Sequence, residues 1–320
     1  MAHSTGRAPQ RIAVLGEGLI ELCGTVFGAL RQGPGGDTLN TAVYLARLAR
    51  DAIEVRYVTV VGVDHLSGAL VDLWHVEGIN TDLVLRDPNR GVGLYQVHVD
   101  AAGERTFTYW RSASAARYLL QHPEFDRVSR SLSDVSMIVL SGISLAILPD
   151  NDRGRLIARL AELADSGILI GFDTNYRASL WEGKEQARDR IGALLPFVHL
   201  MLTSFDDEQH LWGDTTPEET IARLHASGVP NVVVKLGGAG VCYSTHGGGG
   251  RLAAQPVERV VDTTAAGDAF NAAFIAAYQR TGDMQASCLA GGALARVVIA
   301  HPGAIIPGAA TPSIGSLLNG

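Results

Sequence analysis

Apolar positions fall along this chain in two distinct rhythms. Short, nearly continuous apolar runs, RIAVLG (11–16), VRYVTVVG (55–62), SMIVLSG (136–142), ILIGFD (168–173), HLMLTS (199–204) and NVVVKLG (231–237), alternate with longer stretches. In NTAVYLARLAR (40–50), RGRLIARLAELADSG (153–167) and PEETIARLHASG (217–228) the apolar residues return at three- and four-residue spacing. The runs without polar alternation predict strands buried on both faces, which belong to a parallel sheet, and the second rhythm predicts helices that cover it. Gly167 and Gly228 stand where helix stops belong. The expected fold is α/β, a three-layer α/β/α domain around a mainly parallel sheet.

One segment breaks the pattern. GVGLYQVHVDAAGERTFTYWR (91–111) reads as two strands around the turn AAG, with no helix between them. Together with the β-capable stretch LIELCGTVFGALRQG (19–33) it predicts a small antiparallel sheet, a lid over one edge of the main domain. The expected organisation is a single domain over 11–320 after a loose polar leader, 1–10. HGGGG (246–250) reads as a loose hairpin connection.

Composition narrows the function. A chain of 320 residues with 47% hydrophobic content buries a large core. With 26 basic against 33 acidic residues, a net charge of −7 and no basic run, nucleic acid and anionic membrane are poor partners. Cys23, Cys242 and Cys288 are scattered and form no CxxC pair, which disfavours a disulfide framework or zinc cluster and fits a reducing cytoplasm. No stretch supplies the roughly 20 apolar residues of a membrane span.

GEGLIE (16–21) follows a strand but lacks the third glycine of a dinucleotide fingerprint, and no Walker A pattern occurs. Two other clusters carry candidate chemistry. In DTTAAGDAF (262–270), the small residues Ala265, Ala266 and Gly267 at the mouth of a helix would aim free N–H groups at an anion, with Asp268 in the first turn as base. The same residues also read as a capped helix, Asp262 being the cap and Asp268 an ordinary first-turn acid. In GPGGDTLNTAVYLARL (33–48), Gly35 and Gly36 would allow a polyhydroxylated ligand to approach while Asp37 and Asn40 grip its hydroxyls; a tight turn before a capped helix reads equally well.

Taken together, the two clusters resemble the signatures of the ribokinase-like (PfkB-type) carbohydrate kinases, in order and over almost the whole chain. GERTFTYWR (103–111), LSGISLAIL (140–148), NYRASLW (175–181) and GAIIP (303–307) are similar to the branch acting on 2-keto-3-deoxygluconate. The resemblance implies ATP- and Mg²⁺-dependent phosphorylation of the terminal hydroxyl of 2-keto-3-deoxy-D-gluconate, Asp268 being the catalytic base and Ala265, Ala266 and Gly267 the anion hole. It places Gly35, Gly36, Asp37, Asn40, Tyr95, Tyr109, Arg111 and Arg177 at the substrate, and Asn175, Arg177, Ser204, Lys235, Gly237, Gly240, Ala266 and Gly267 at the nucleotide. Arg forks and Tyr hydroxyls suit a carboxylate-bearing sugar, although on a hairpin they also read as ordinary surface residues.

Two departures stand out. Ala265 replaces the signature glycine. SFDD (204–207) replaces N-x-x-E, so that Asp207, with Glu208 beside it, becomes the Mg²⁺ candidate. The resemblance further implies a monovalent cation such as K⁺ at Asp262 and Thr264, and a homodimer or larger assembly. The alternatives are a kinase for keto-deoxygalactonate, fructose or another neutral sugar on the same fold, and a non-catalytic sugar-acid sensor.

Overall fold

The computed structural model describes residues 9–25, 27–50, 52–99 and 105–319. The first eight residues of the expected leader, and the AAG turn at 101–103, lie outside the described residues. Among the described residues thirteen strands form, in chain order: β1 Gln10–Leu15, β2 Leu19–Gly24, β3 Leu30–Gly35, β4 Ile53–Gly62, β5 Val84–Asp87, β6 Gly93–Val99, β7 Arg105–Trp110, β8 Met137–Ser141, β9 Leu169–Asp173, β10 Leu200–Ser204, β11 Asn231–Lys235, β12 Val241–Thr245 and β13 Gly248–Leu252.

Nine of them make one sheet in the order β13-β12-β11-β10-β9-β8-β1-β4-β5. From β5 to β11 every neighbouring pair is parallel, and β12 and β13 close the edge as antiparallel strands. Both faces are covered, as the unbroken apolar runs require: Ala13 and Leu15 of β1 point into one core, Ile12 and Val14 into the other. The three-layer α/β fold is therefore present. Gly167 and Gly228 have φ of 92° and 96°, the left-handed geometry that ends the helices before β9 and β11.

The chain enters the sheet at an interior strand, β1, third from one edge, builds outward to β4 and β5, and then returns to build β8 to β11 on the other side. That reversal opens a crevice at the carboxyl ends of β1 and β8, where open α/β sheets bind ligands. Beside the crevice the helix Asp37–Ala49 packs against the helix Ala266–Thr281. Ala42 and Ala46 on the first, and Ala269, Ala272, Ala273 and Ala276 on the second, are buried, and their small side chains let the two helices approach closely.

The lid is a four-stranded sheet of order β3-β2-β6-β7, two antiparallel pairs joined through a parallel β2–β6 pair. The stretch 19–33 divides into two strands that run on to Gly35. One reading of the sequence is corrected and one strand is added to it. The glycines of HGGGG are not a loose connection, because Gly248, Gly249 and Gly250 pair with β12; a Cβ on Gly249 would lie 2.4 Å from the Tyr243 carbonyl, so only glycine fits there. β5, four residues of mixed polarity, carries no apolar run and has no counterpart in the sequence reading.

Candidate active site

Four polar side chains are the last residues of adjacent parallel strands: Ser141 on β8, Asp173 on β9, Ser204 on β10 and Lys235 on β11. A parallel sheet thus sets them along one line, facing the N-terminus of the helix Ala266–Thr281. The cleft between them and the lid has a volume of about 1720 Å³.

At one end, Asp37 is held by two donors on a single oxygen: Ser141 Oγ at 2.5 Å and Asn175 Nδ2 at 2.8 Å. Asn175 has a φ of 32°, a strained backbone for a non-glycine residue, and it lines the cleft with Asp37 and Asn40. The glycine pair before Asp37 serves packing. A Cβ on Gly36, whose φ is 124°, would sit 2.4 Å from the Glu17 carbonyl, and one on Gly35 would sit 2.2 Å from the Tyr95 hydroxyl. Gly36 lines the cleft, whereas Gly35 is buried beneath Tyr95.

The floor is the start of the helix Ala266–Thr281. Ala265 adopts the left-handed conformation at φ 60° as its N-cap, a conformation costing an alanine about 1–2 kcal/mol, so the cradle is built under strain. Asp268, in the first turn, accepts a hydrogen bond from Asn40 Nδ2 at 2.8 Å. Burial first, then the negative charge of Asp37, push the Asp268 carboxyl up to about 8, against the opposing pull of the Asn40 bond. It is thus a carboxylate of unusually high proton affinity, close to the ideal for a general base at neutral pH.

Lys235 Nζ donates to Asp173 Oδ2 and to Asn271 Oδ1, both at 2.9 Å, and stands 3.5 Å from where a Cβ on Gly267 would be. Ser204 donates to Asp207 at 2.7 Å. Burial and the neighbouring Asp173 charge hold the Asp207 carboxyl above its ordinary value. Arg177, exposed, makes a loose 3.5 Å ion pair with Asp207, which puts it beside Ser204 and Asp207 on the Lys235 side of the cleft. Glu208 does not join this group. It is fully buried and accepts from Thr174, from Thr203 at 2.6 Å and from Arg223 at 2.6 Å, so its oxygens are spent inside the fold.

Beyond Lys235 the cleft continues past Gly237 and Gly240 to an apolar end lined by Leu252, Val260 and Leu289. Gly240 has φ 103°, and a Cβ there would meet the Leu252 carbonyl at 2.0 Å. Asp262, just before the cradle, accepts from the Thr264 N–H at 2.9 Å and the Gly303 N–H at 2.6 Å, tying the loop to the C-terminal segment.

The lid contributes Tyr95, Tyr109 and Arg111. Tyr95 and Tyr109 face each other across the β6–β7 pair, ring centroids 5.8 Å apart. The Tyr95 hydroxyl donates to Glu21 at 2.7 Å. Arg111 lies over the Tyr109 ring and donates through Nε, at 2.8 Å, and through Nη2 to one oxygen of Glu17. Both partners are nearly inaccessible, 9% and 1% exposed at the side chain, so this is a buried ion pair.

Residues 10–311 match the pfkB family carbohydrate kinases. The chain belongs to that family. Among its relatives, the 2-dehydro-3-deoxygluconokinase of Haemophilus influenzae is 47% identical over 97% of this chain and 100% of its own length. Among solved structures, the 2-dehydro-3-deoxygluconokinase of Thermotoga maritima superposes with a TM-score of 0.83 at 20% identity, covering 98% of this chain and 99% of that one. A fructokinase with bound ATP from Xylella fastidiosa gives 0.80 at 23% identity, covering 97% of each chain.

Within this pfkB-family cleft, five partners have no assigned role in the sequence reading, Ser141 on Asp37 among them. Asp173 and Asn271 hold Lys235, and Glu17 and Glu21 hold Arg111 and Tyr95. The polar end of ILIGFD was a signal for Asp173. GEGLIE, set aside as a failed fingerprint, held both glutamates. Nothing in the sequence marks Asn271, since its partners come from two distant strands.

Proposed function

We propose that this carbohydrate kinase transfers the γ-phosphoryl group of ATP to the terminal hydroxyl of 2-dehydro-3-deoxy-D-gluconate. One observation carries the chemistry: Asp268, a carboxylate of raised proton affinity, sits in the first turn of a helix whose N-terminus opens on the cleft floor. Asp37 and Asn40 lie to one side and the Lys235 cation to the other, and Asn175 bridges them, its amide donating to Asp37 and its backbone N–H to Asp173, the partner of Lys235. The substrate class rests on the full-length relationship to the curated sugar-acid kinase and on the lid side chains.

In this reading Asp37 and Asn40 hold hydroxyls of the acceptor, and Tyr95, Tyr109 and Arg111 face its keto and acid end. Asp268 takes the proton of the terminal hydroxyl as that oxygen bonds to the γ-phosphorus and the bond to ADP breaks. The Ala266 and Gly267 N–H groups, with Ala265 shaping the turn, take up the charge that develops on the phosphoryl oxygens. Lys235, Ser204, Asn175 and Arg177 meet the nucleotide phosphates, Gly237 and Gly240 leave room beside them, and the apolar end past Leu252 receives the flat base. Closure of the lid over the single domain excludes water.

Mg²⁺ fits these residues. Asp207 and Asp173 repel one another across the phosphate path, and among the described residues no group of three or more His, Cys, Asp or Glu forms a metal cage. A cation bound chiefly through nucleotide oxygens and water needs no such cage. Mg²⁺ would neutralise phosphate charge there, with Asp207 holding it and Glu208 stabilising the fold instead. The reading also assigns a monovalent cation such as K⁺ to Asp262 and Thr264, whose loop is fixed by the bonds to the Asp262 carboxylate. It includes a homo-oligomer, supported by the exposed Phe107, Tyr109 and Trp110 on the edge strand β7, and a cytoplasmic location, supported by three free cysteines. No described helix is long and apolar enough to cross a membrane.

The test is ADP release from ATP and Mg²⁺ across 2-dehydro-3-deoxygluconate, its galactonate epimer, gluconate, fructose, ribose and adenosine. Turnover highest on the keto-deoxy gluconate supports the reading. A peak on fructose would discard the sugar-acid assignment, and binding without ADP release would replace the enzyme by a sensor.

A further inference from the structure

Asn271 is 4% exposed and lies one helical turn after Asp268, yet the transfer as described makes no use of it. Both ends of its amide are engaged. Oδ1 accepts from Lys235 Nζ at 2.9 Å and Nδ2 donates to Asp173 Oδ2 at 2.7 Å, while Lys235 itself donates to the same Asp173 oxygen at 2.9 Å. The three side chains close a triangle whose corners come from the end of β9, the end of β11 and the helix that carries the base. The amide can face only one way, because an ammonium only donates and a carboxylate only accepts.

The triangle fixes a side chain that would otherwise wander. A lysine ammonium is a point charge on four rotatable carbons, and its free form samples many rotamers. Here two of its three N–H bonds are used, one on Asp173 and one on Asn271, which leaves one to donate elsewhere. Nζ stands 3.5 Å from the Cβ position of Gly267, the third residue of the anion cradle. Asp173 alone would hold the ammonium by charge but not in direction; the second acceptor, on the same helix as the cradle, ties the cation to the cradle's own frame. Lys235 also acts on the neighbouring acids, since its charge lowers the proton affinity of both Asp268 and Asp207.

We propose that Asn271 is a positioning residue, which with Asp173 holds the Lys235 ammonium over the cradle so that its remaining N–H meets the phosphoryl group in transfer. The inference rests on the kinase reading and on Lys235 as a phosphate ligand. It goes beyond both by making the register between cation and cradle depend on an asparagine that touches no substrate.

The experiment is a double-mutant cycle on the full-length protein, with Asn271→Ala, Lys235→Met and the pair, measuring kcat, both KM values and thermal melting. Asn271→Ala should lower kcat roughly tenfold to a hundredfold, as expected for a misaligned phosphate cation, with the KM for the sugar acid within about twofold. Lys235→Met should cost at least as much, and the double variant no more than Lys235→Met, because the asparagine acts only through the lysine. Asn271→Asp, equal in size, guards against a cavity effect; it keeps the acceptor but sets a second negative charge against Asp173, and kcat should again fall. Wild-type kcat in both Asn271 variants, or losses that multiply in the double variant, would overturn the proposal. Full activity in Lys235→Met would instead remove Lys235 from the phosphate site, and an inactive wild-type protein would remove the kinase reading itself.

Discussion

Asn40 Nδ2 donates to the carboxylate of Asp268 at 2.8 Å, joining two helices whose residues stand 228 positions apart. The bond connects the cluster that would hold the acceptor's hydroxyls to the group that would take its proton. Substrate grip and base strength are therefore set by the same few side chains.

Replacing Asp268 with Asn should lower kcat by at least about a thousandfold while ATP binding, followed by calorimetry, changes little. The fold should gain stability. A carboxyl whose folded value is raised to about 8 contributes stability that is fully present below its unfolded value and is lost as pH rises through the folded value. The variant should thus be more stable than wild type at about pH 9, by on the order of a few kcal/mol, with the gap closing toward about pH 4. Equal melting at both ends would contradict the buried-base description.

Asp37 is a direct lever on that base, because its charge is the second cause of the raised value, after burial. Asp37→Asn should move the acid limb of the kcat profile to lower pH while the KM for the sugar rises. A limb that stays in place would separate the two carboxylates.

Arg111 tests substrate class and packing together. Arg111→Met should raise the KM for the sugar acid roughly tenfold or more and leave ATP unaffected. It also strands Glu17 as an uncompensated buried charge, a loss of about 3–5 kcal/mol, and Glu17→Gln combined with Arg111→Met should restore most of the melting temperature without restoring affinity. Recovery of both by the double variant would argue against Arg111 as a substrate ligand.

Asp207 and Glu208, adjacent in sequence, should behave as unrelated residues. Asp207→Asn should raise the Mg²⁺ concentration for half-maximal activity severalfold with little effect on melting. Glu208→Gln should do the reverse, costing about 1–3 kcal/mol of stability because buried donors lose a charged acceptor, with the Mg²⁺ requirement unchanged. A shift of that requirement in the Glu208 variant would return Glu208 to the metal.

The sequence by itself determined the sheet. Runs such as SMIVLSG and NVVVKLG favour strands buried on both faces, as in a mainly parallel sheet under helices, and the hairpin 91–111 stood out because it had no helix to make the crossover. It also determined the helix start at Ala266, since small residues and an acid there are local features that one stretch of chain expresses alone. The tertiary structure decided everything that depends on which side chain meets which. Glu208 was a metal candidate by adjacency to Asp207, but successive helical residues point about 100° apart, and the fold turned one into the cleft and the other onto Arg223. Of the glycine pair 35–36, Gly35 sits under the Tyr95 hydroxyl, while Gly36 lines the cleft and also lets the Glu17 carbonyl come close. GEGLIE carried no phosphate signal, yet its two acids hold the lid's Arg111 and Tyr95, and Asn271 became legible only once two strand ends met one helix. Local periodicity records what each segment buries, whereas hydrogen-bond partners drawn from distant segments are fixed by the packing of the whole chain.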